Sequence, residues 1–155
     1  MIEIKKPAPD FTLPDQDGVM RSLTDYRGKW LLFYAYPKDN TPGCTKEACS
    51  IRDVWSEFES AEIAVMGISG DSVASHKKFA EEHNLPFVLL SDEGREVMSA
   101  YGILKEKSML GKTFLGINRM SYLIDPKGIV QKVYLKVSPE EHADEVLADV
   151  KSFDI

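Results

Sequence analysis

The chain has 155 residues, 43% hydrophobic and 28% charged, the size and balance of one continuous domain, 1–155, with an ordinary core. Nineteen basic against 25 acidic side chains give a formal charge of −6. This argues against nucleic acid or an anionic membrane as the main partner, and leaves room only for a local basic patch. Pro7, Pro9 and Pro14 hold the first segment extended. Phe11–Leu13 and Met20–Leu23, separated by Asp15-Gln16-Asp17-Gly18, read as a short hairpin. Trp30–Tyr36, bounded by Gly28 and Pro37, is almost wholly apolar and reads as a central strand buried on both faces. Thr41 and Pro42 then supply an N-cap and first helical residue. Ala48, Ile51, Val54, Trp55 and Phe58 continue that helix at spacings of three and four.

Ile63–Ile68 is a second buried strand, followed by a helix capped near Ser72. Leu85–Leu90 is a third strand and Glu93–Tyr101 a short helix ended by Gly102. Ser121–Ile124 and Ile129–Leu135, joined by Asp125-Pro126-Lys127-Gly128, form a further hairpin. The last helix is expected from the capping box Ser138-Pro139-Glu140-Glu141 to about Phe153. This order calls for a thioredoxin-like three-layer α/β fold, with a mixed central sheet and an N-terminal hairpin. A flavodoxin-like sheet is the alternative. No apolar run reaches the roughly 18 residues of a membrane span, and Met1–Pro7 lacks the apolar stretch of a signal peptide. A cytoplasmic location with no membrane partner is therefore expected.

The chain contains two cysteines, Cys44 and Cys49, too few for a disulfide scaffold or a four-thiolate zinc site. Cys44 falls in the first turn of the helix that follows the buried strand, beyond the carboxyl end of the sheet where α/β proteins place their chemistry. Unpaired N–H groups and the helix dipole there favour a thiolate. An ordinary thiol is only about 3% ionised at pH 7. A helix terminus contributes about 0.3–1 kcal/mol, so a cation must assist it. Five residues along a helix separate Cα atoms by about 8–9 Å, beyond the roughly 4.4–6.8 Å of a disulfide. Either Cys44 and Cys49 never bond, or bonding unwinds the start of the helix. In the bonding case, a sulfenic acid at one thiol condenses with the other.

The spacing is not the Cys-x-x-Cys of a thiol–disulfide oxidoreductase, and His76, His83 and His142 hold no zinc-ligand spacing to the cysteines. His76, on one helical face with Phe79, Ala80 and His83, reads as a packing or surface residue. Cys49 in isolation also reads as a core thiol beside Ile51 and Trp55. Gly111-Lys112-Thr113 resembles the end of a phosphate-binding loop, but Glu106 occupies the position of its first glycine. Gly67 and Gly70 lack dinucleotide-binding spacing and suit a turn and close packing.

The run Phe33-Tyr34-Ala35-Tyr36-Pro37-Lys38-Asp39-Asn40-Thr41-Pro42-Gly43-Cys44-Thr45-Lys46-Glu47-Ala48-Cys49 resembles the active-site segment of peroxiredoxins. It is most similar to the bacterioferritin comigratory protein, or Q, subfamily. Pro7–Phe11, Gly67–Ser72 and Ser121–Asp125 extend the likeness over essentially the whole chain. The resemblance implies that Cys44 is the peroxidatic cysteine and Cys49 the resolving one. Thr41 then presents its hydroxyl to the thiolate and peroxide, and Pro37 shields the pocket. Arg119 supplies the cation, and Glu47 steadies that arginine.

The implied reaction reduces hydrogen peroxide or an alkyl hydroperoxide, with an intramolecular disulfide that a thioredoxin-like protein reduces. No haem, flavin or metal is implied, because sulfur carries both electrons. The tail after Ser138 has no cysteine, so an intersubunit disulfide through a C-terminal thiol is excluded. A monomer or weak dimer is expected. Two further classes stay open to test: a redox sensor using the same thiols without turnover, and a binding module with incidental thiols.

Overall fold

Thr12–Pro14 (β1) and Met20–Ser22 (β2) pair antiparallel with Thr12 opposite Ser22. Their turn is organised by the buried Asp15 carboxylate, which accepts from the N–H groups of Asp17 and Val19 and from Arg21. The structure, a computed structural model, describes residues 2–153. Trp30–Ala35 (β3) is buried at every position. Pro42–Asp53 (α1) and Trp55–Ser60 (α2) follow, then Ile63–Ser69 (β4) and Val73–His83 (α3). Next come Val88–Ser91 (β5), Glu96–Ala100 (α4), Leu104–Met109 (β6) and Lys112–Ile117 (β7). Met120–Ile124 (β8), Val130–Tyr134 (β9) and His142–Phe153 (α5) complete the described chain.

The main sheet has the order β5-β4-β3-β8-β9. β3, β4 and β5 run parallel, whereas β8 lies antiparallel to β3, with Tyr34 opposite Ser121. That antiparallel neighbour at the centre of the sheet favours the thioredoxin-like order over the flavodoxin-like one. Alternation along β3 sends Trp30, Leu32, Tyr34 and Tyr36 to one face, where residues of α1, α2, α3 and α5 cover them. Leu31, Phe33 and Ala35 go to the other face, beneath Phe11, Leu23, Met98 and Tyr101. Gly67 gives β4 the clearance this packing needs. A Cβ there would lie 2.9 Å from the Tyr34 ring and 3.0 Å from Leu89.

Four sequence expectations need adjustment. The helix expected through Phe58 breaks at Val54 (φ −116°, ψ 24°), and the redirected turn stacks Trp55 on Phe58 and brings it to Phe87. The third strand starts at Val88 rather than Leu85. Asn84 ends α3 in the left-handed region, Leu85 N–H bonds back to Ala80, and Pro86 has no N–H for a ladder. α4 starts at Glu96, after Arg95 adopts a positive φ of 59° and Asp92 accepts from Met98 N–H. The Ser138–Glu141 capping box forms a turn, and α5 begins at His142. The β6–β7 hairpin was not among the expected elements. Its turn, Leu110-Gly111, holds both residues at positive φ, and only Gly111 signals it in the sequence, because Leu is not a residue this turn favours.

Candidate active site

β3 ends beneath the Pro37–Thr41 loop, and the anchor of that loop is Asp39. Its N–H donates to Asp71 Oδ2 (2.9 Å), its Oδ1 accepts from Tyr36 (2.7 Å), and its Oδ2 accepts from Ser75 (2.8 Å). His76 Nδ1 lies 2.7 Å from the same Oδ2, and His76 Nε2 donates to Leu90 O at 2.9 Å. Burial works against the Asp39 charge, but His76, Tyr36 and Ser75 outweigh it and hold this carboxyl below its ordinary range. The ends of α3 and β5 thereby fix the loop that delivers α1. His76 is fully buried, so it takes the packing role of the two expected, as a polar anchor. Sequence spacing carried no signal of this cluster, because its members come from three separate stretches of chain, 36–39, 71–76 and 90.

Thr41 is extended at the N-cap (φ −87°, ψ 153°), and Pro42 opens α1. The Thr41 hydroxyl donates to Lys38 O at 2.8 Å and does not cap the helix. Pro37 is exposed at the end of β3. Cys44, the third residue of α1, is buried, whereas Cys49 further along the same helix is half-buried. Both are free thiols.

Arg119, between β7 and β8, reaches the start of α1. Its Nη2 lies 3.2 Å from Cys44 Sγ, and its Nη1 donates to Glu47 Oε1 at 2.9 Å. Gly43 permits that approach, since a Cβ on it would lie 3.0 Å from Arg119 Nη2. Three of the residues singled out from sequence thus converge, although Arg119 and Cys44 are 75 positions apart.

The electrostatics of the group are uneven. Glu47 is 1% exposed, and its burial raises the carboxyl from 4.5 to about 7 despite the attraction of Arg119. Arg119 is more open and keeps part of its hydration. Burial disfavours its charge too, yet the Cys44 and Glu47 groups prevail and raise its pKa. Among the described residues, Tyr34 Oη and Glu47 Oε2 are buried without a hydrogen-bond partner. Burial, followed by the nearby Glu47 and Cys44 charges, pushes the Tyr34 phenol well above its ordinary range. The site therefore combines one fixed cation, one thiol and one carboxyl poised near neutrality, beside a phenol that stays neutral. Such a guanidinium can hold a thiolate and a polar oxygen together.

Residues 4–133 match the AhpC/TSA family. Putative peroxiredoxin bcp of Coxiella burnetii is 49% identical over 146 residues, covering 94% of this chain and 97% of that protein. Peroxiredoxin Bcp of Bacillus subtilis is 43% identical over 150 residues, covering 97% and 96%. The solved structure of a Xanthomonas campestris bacterioferritin comigratory protein, described for its alkyl peroxide reduction activity, superposes with a TM-score of 0.89. It is 38% identical, with 94% of this chain and 92% of that chain covered. A cysteine-to-serine mutant of Xylella fastidiosa PrxQ gives 0.93 at 31% identity, covering 100% and 99%. Likeness of this extent, in sequence and in backbone together, settles descent: the chain belongs to the AhpC/TSA family, among its peroxiredoxins of the Bcp and Q type.

Proposed function

We propose that Cys44 is the peroxidatic group of this thiol peroxidase, Cys49 its resolving group, and hydrogen peroxide and organic hydroperoxides its substrates. That the chain is a thiol peroxidase follows from its membership among the peroxiredoxins. The observation that carries the assignment of residues is the Arg119 guanidinium, 3.2 Å from Cys44 Sγ and 2.9 Å from Glu47 Oε1. It supplies the charge that the helix terminus alone lacks. In the first step the thiolate attacks one peroxide oxygen, an S–O bond forms and the O–O bond breaks. Sulfur loses two electrons, the Cys44 sulfenic acid remains, and the departing alkoxide or hydroxide takes a proton from solvent. Arg119 orients the thiolate and the peroxide oxygen. Thr41, at the rim of α1, offers its hydroxyl lone pairs, and Pro37 limits water at the mouth.

In the second step Cys49 thiolate attacks the sulfenic sulfur, an S–S bond forms as the S–O bond breaks, and the departing hydroxide takes a proton from solvent to become water. Both cysteines lie within the unbroken stretch Pro42–Asp53, so their Cα atoms are about 8–9 Å apart. The first turns of α1 must unwind for the bond to close. A dithiol protein of thioredoxin type then returns both thiols. The 155 residues act as one domain, a monomer or weak dimer in the cytoplasm. Among the described residues no helix is long and apolar enough to cross a membrane.

The test is peroxide consumption coupled to thioredoxin, thioredoxin reductase and NADPH. The wild type turns over. Cys44→Ser is inactive, and Cys49→Ser consumes one equivalent and stalls. Stoichiometric oxidation of the wild type without turnover would assign the thiols to a sensor instead. Normal turnover of Cys49→Ser would remove the resolving role.

A further inference from the structure

The base of the β6–β7 hairpin joins the core through Ile117, with Leu104 packed beside it, and its outer part extends into solvent. Its register places Lys105 opposite Gly116, Lys107 opposite Phe114 and Met109 opposite Lys112. Opposed residues share a face, so one side of the ribbon presents Lys105, Lys107, Lys112, Met109 and Phe114 together. The stem of Lys107 lies across Gly116, where a Cβ would meet its Cδ at 2.5 Å, and its ammonium bonds Ile117 O. At the tip, Leu110 is 96% exposed and Met109 64%, with Phe114 at 46% on the lysine face, while Leu115, opposite Glu106, lies on the other face. No core requires Leu110, and turn chemistry does not either. At φ 53° beside Gly111 at φ 79°, a two-residue turn favours Asn or Asp.

We propose that this hairpin is a peripheral docking arm for anionic phospholipid surfaces, with Leu110 and Met109 entering the headgroup boundary and the exposed Lys105 and Lys112 facing the phosphates. Charge complementarity selects the occupant. Lys105 and Lys112 are exposed on one face of the arm, with Glu106 on the other, in a chain whose formal charge is −6. The whole-chain charge argued against such a surface, but the register gathers the local basic patch on one ribbon face. Apolar tip residues flanked by lysines meet both requirements of an interfacial anchor, buried apolar area and attraction to anionic lipid.

The experiment is co-sedimentation of the full chain with vesicles of phosphatidylcholine alone, or mixed with phosphatidylglycerol, at low and high salt. Binding is expected to the anionic vesicles at low salt, to weaken at high salt, and to be slight on neutral ones. Lys105→Ala with Lys112→Ala lowers that affinity about thirtyfold, at roughly fivefold per lysine. Leu110→Asp, which suits the positive φ, lowers it about tenfold or more. Turnover of hydrogen peroxide in solution stays at the wild-type rate in both variants, which shows that each folds. Absence of vesicle binding overturns the proposal, as does equal binding by both variants and the wild type. Concentration-dependent self-association lost in both variants, without vesicle binding, also overturns it and assigns the arm to a second copy of the chain.

Discussion

Replacing Glu47 with Gln keeps the shape of the side chain and an oxygen toward Arg119, and removes the ionisable group. In the unfolded chain the carboxyl titrates near 4.5, and in the folded protein burial moves it to about 7. Between those values the native state holds a proton that the unfolded state has released. Stability from this group is therefore full below about pH 4.5 and is lost as pH rises to about 7. The gap corresponds to roughly 3 kcal/mol, at about 1.36 kcal/mol per pH unit. Arg119 and Tyr34 bear on this carboxyl, and only Arg119 favours its ionisation. Urea unfolding of the reduced protein across this pH range measures the difference between wild type and Glu47→Gln. The wild type should lose roughly 3 kcal/mol relative to the variant on passing from acid to neutral pH. A difference that stays constant with pH would show that Glu47 ionises normally in its burial site, and the reasoning fails. Below the transition a neutral Glu47 leaves the Arg119 charge undivided for the thiolate.

Arg119→Lys replaces a two-pronged cation with a point charge that cannot span Sγ and Glu47 together. Sulfenic acid formation in single-turnover mixing should slow by about 10²–10³, as for loss of one preorganised donor; an unchanged rate would remove Arg119 from the reaction. Closing the Cys44–Cys49 disulfide should abolish amide-exchange protection across residues 43–50, and retained protection there would refute the unwinding step. His76→Leu strands the buried Asp39 carboxylate and should cost about 3–5 kcal/mol in denaturant unfolding. Asp39→Asn with His76→Leu should recover part of that loss. No recovery would mean that the destabilisation comes from packing and not from the stranded charge.

Several features were legible because they depend only on neighbours along the chain. Trp30–Ala35 read as a central strand because six consecutive apolar residues, rich in aromatics and set between Gly28 and Pro37, are too short a run for a buried helix, and Thr41-Pro42 suit a helix start. The β8–β9 hairpin followed from its turn residues. The break at Val54 was not legible, because it serves the stacking of Trp55 against Phe58 and Phe87. Asp39 and His76 carried no signal either: their bonds run to Tyr36, Ser75, Asp71 and Leu90, which meet only after the sheet forms.

Local pattern was enough to place a thiol at a helix start, and to show that its one possible partner lies too far along the same helix to bond while it is wound. Both are matters of rise and turn per residue. The same arithmetic required a cation but could not locate it by spacing; Arg119 came from the resemblance to a family. The charge environment of the site arises only on folding, because charge and burial there are sums over elements distant in sequence. β8, running antiparallel beside β3, carries Arg119 to Cys44 across 75 positions. The same packing leaves Glu47 1% exposed and so turns an ordinary helix carboxylate into a group that titrates near neutrality.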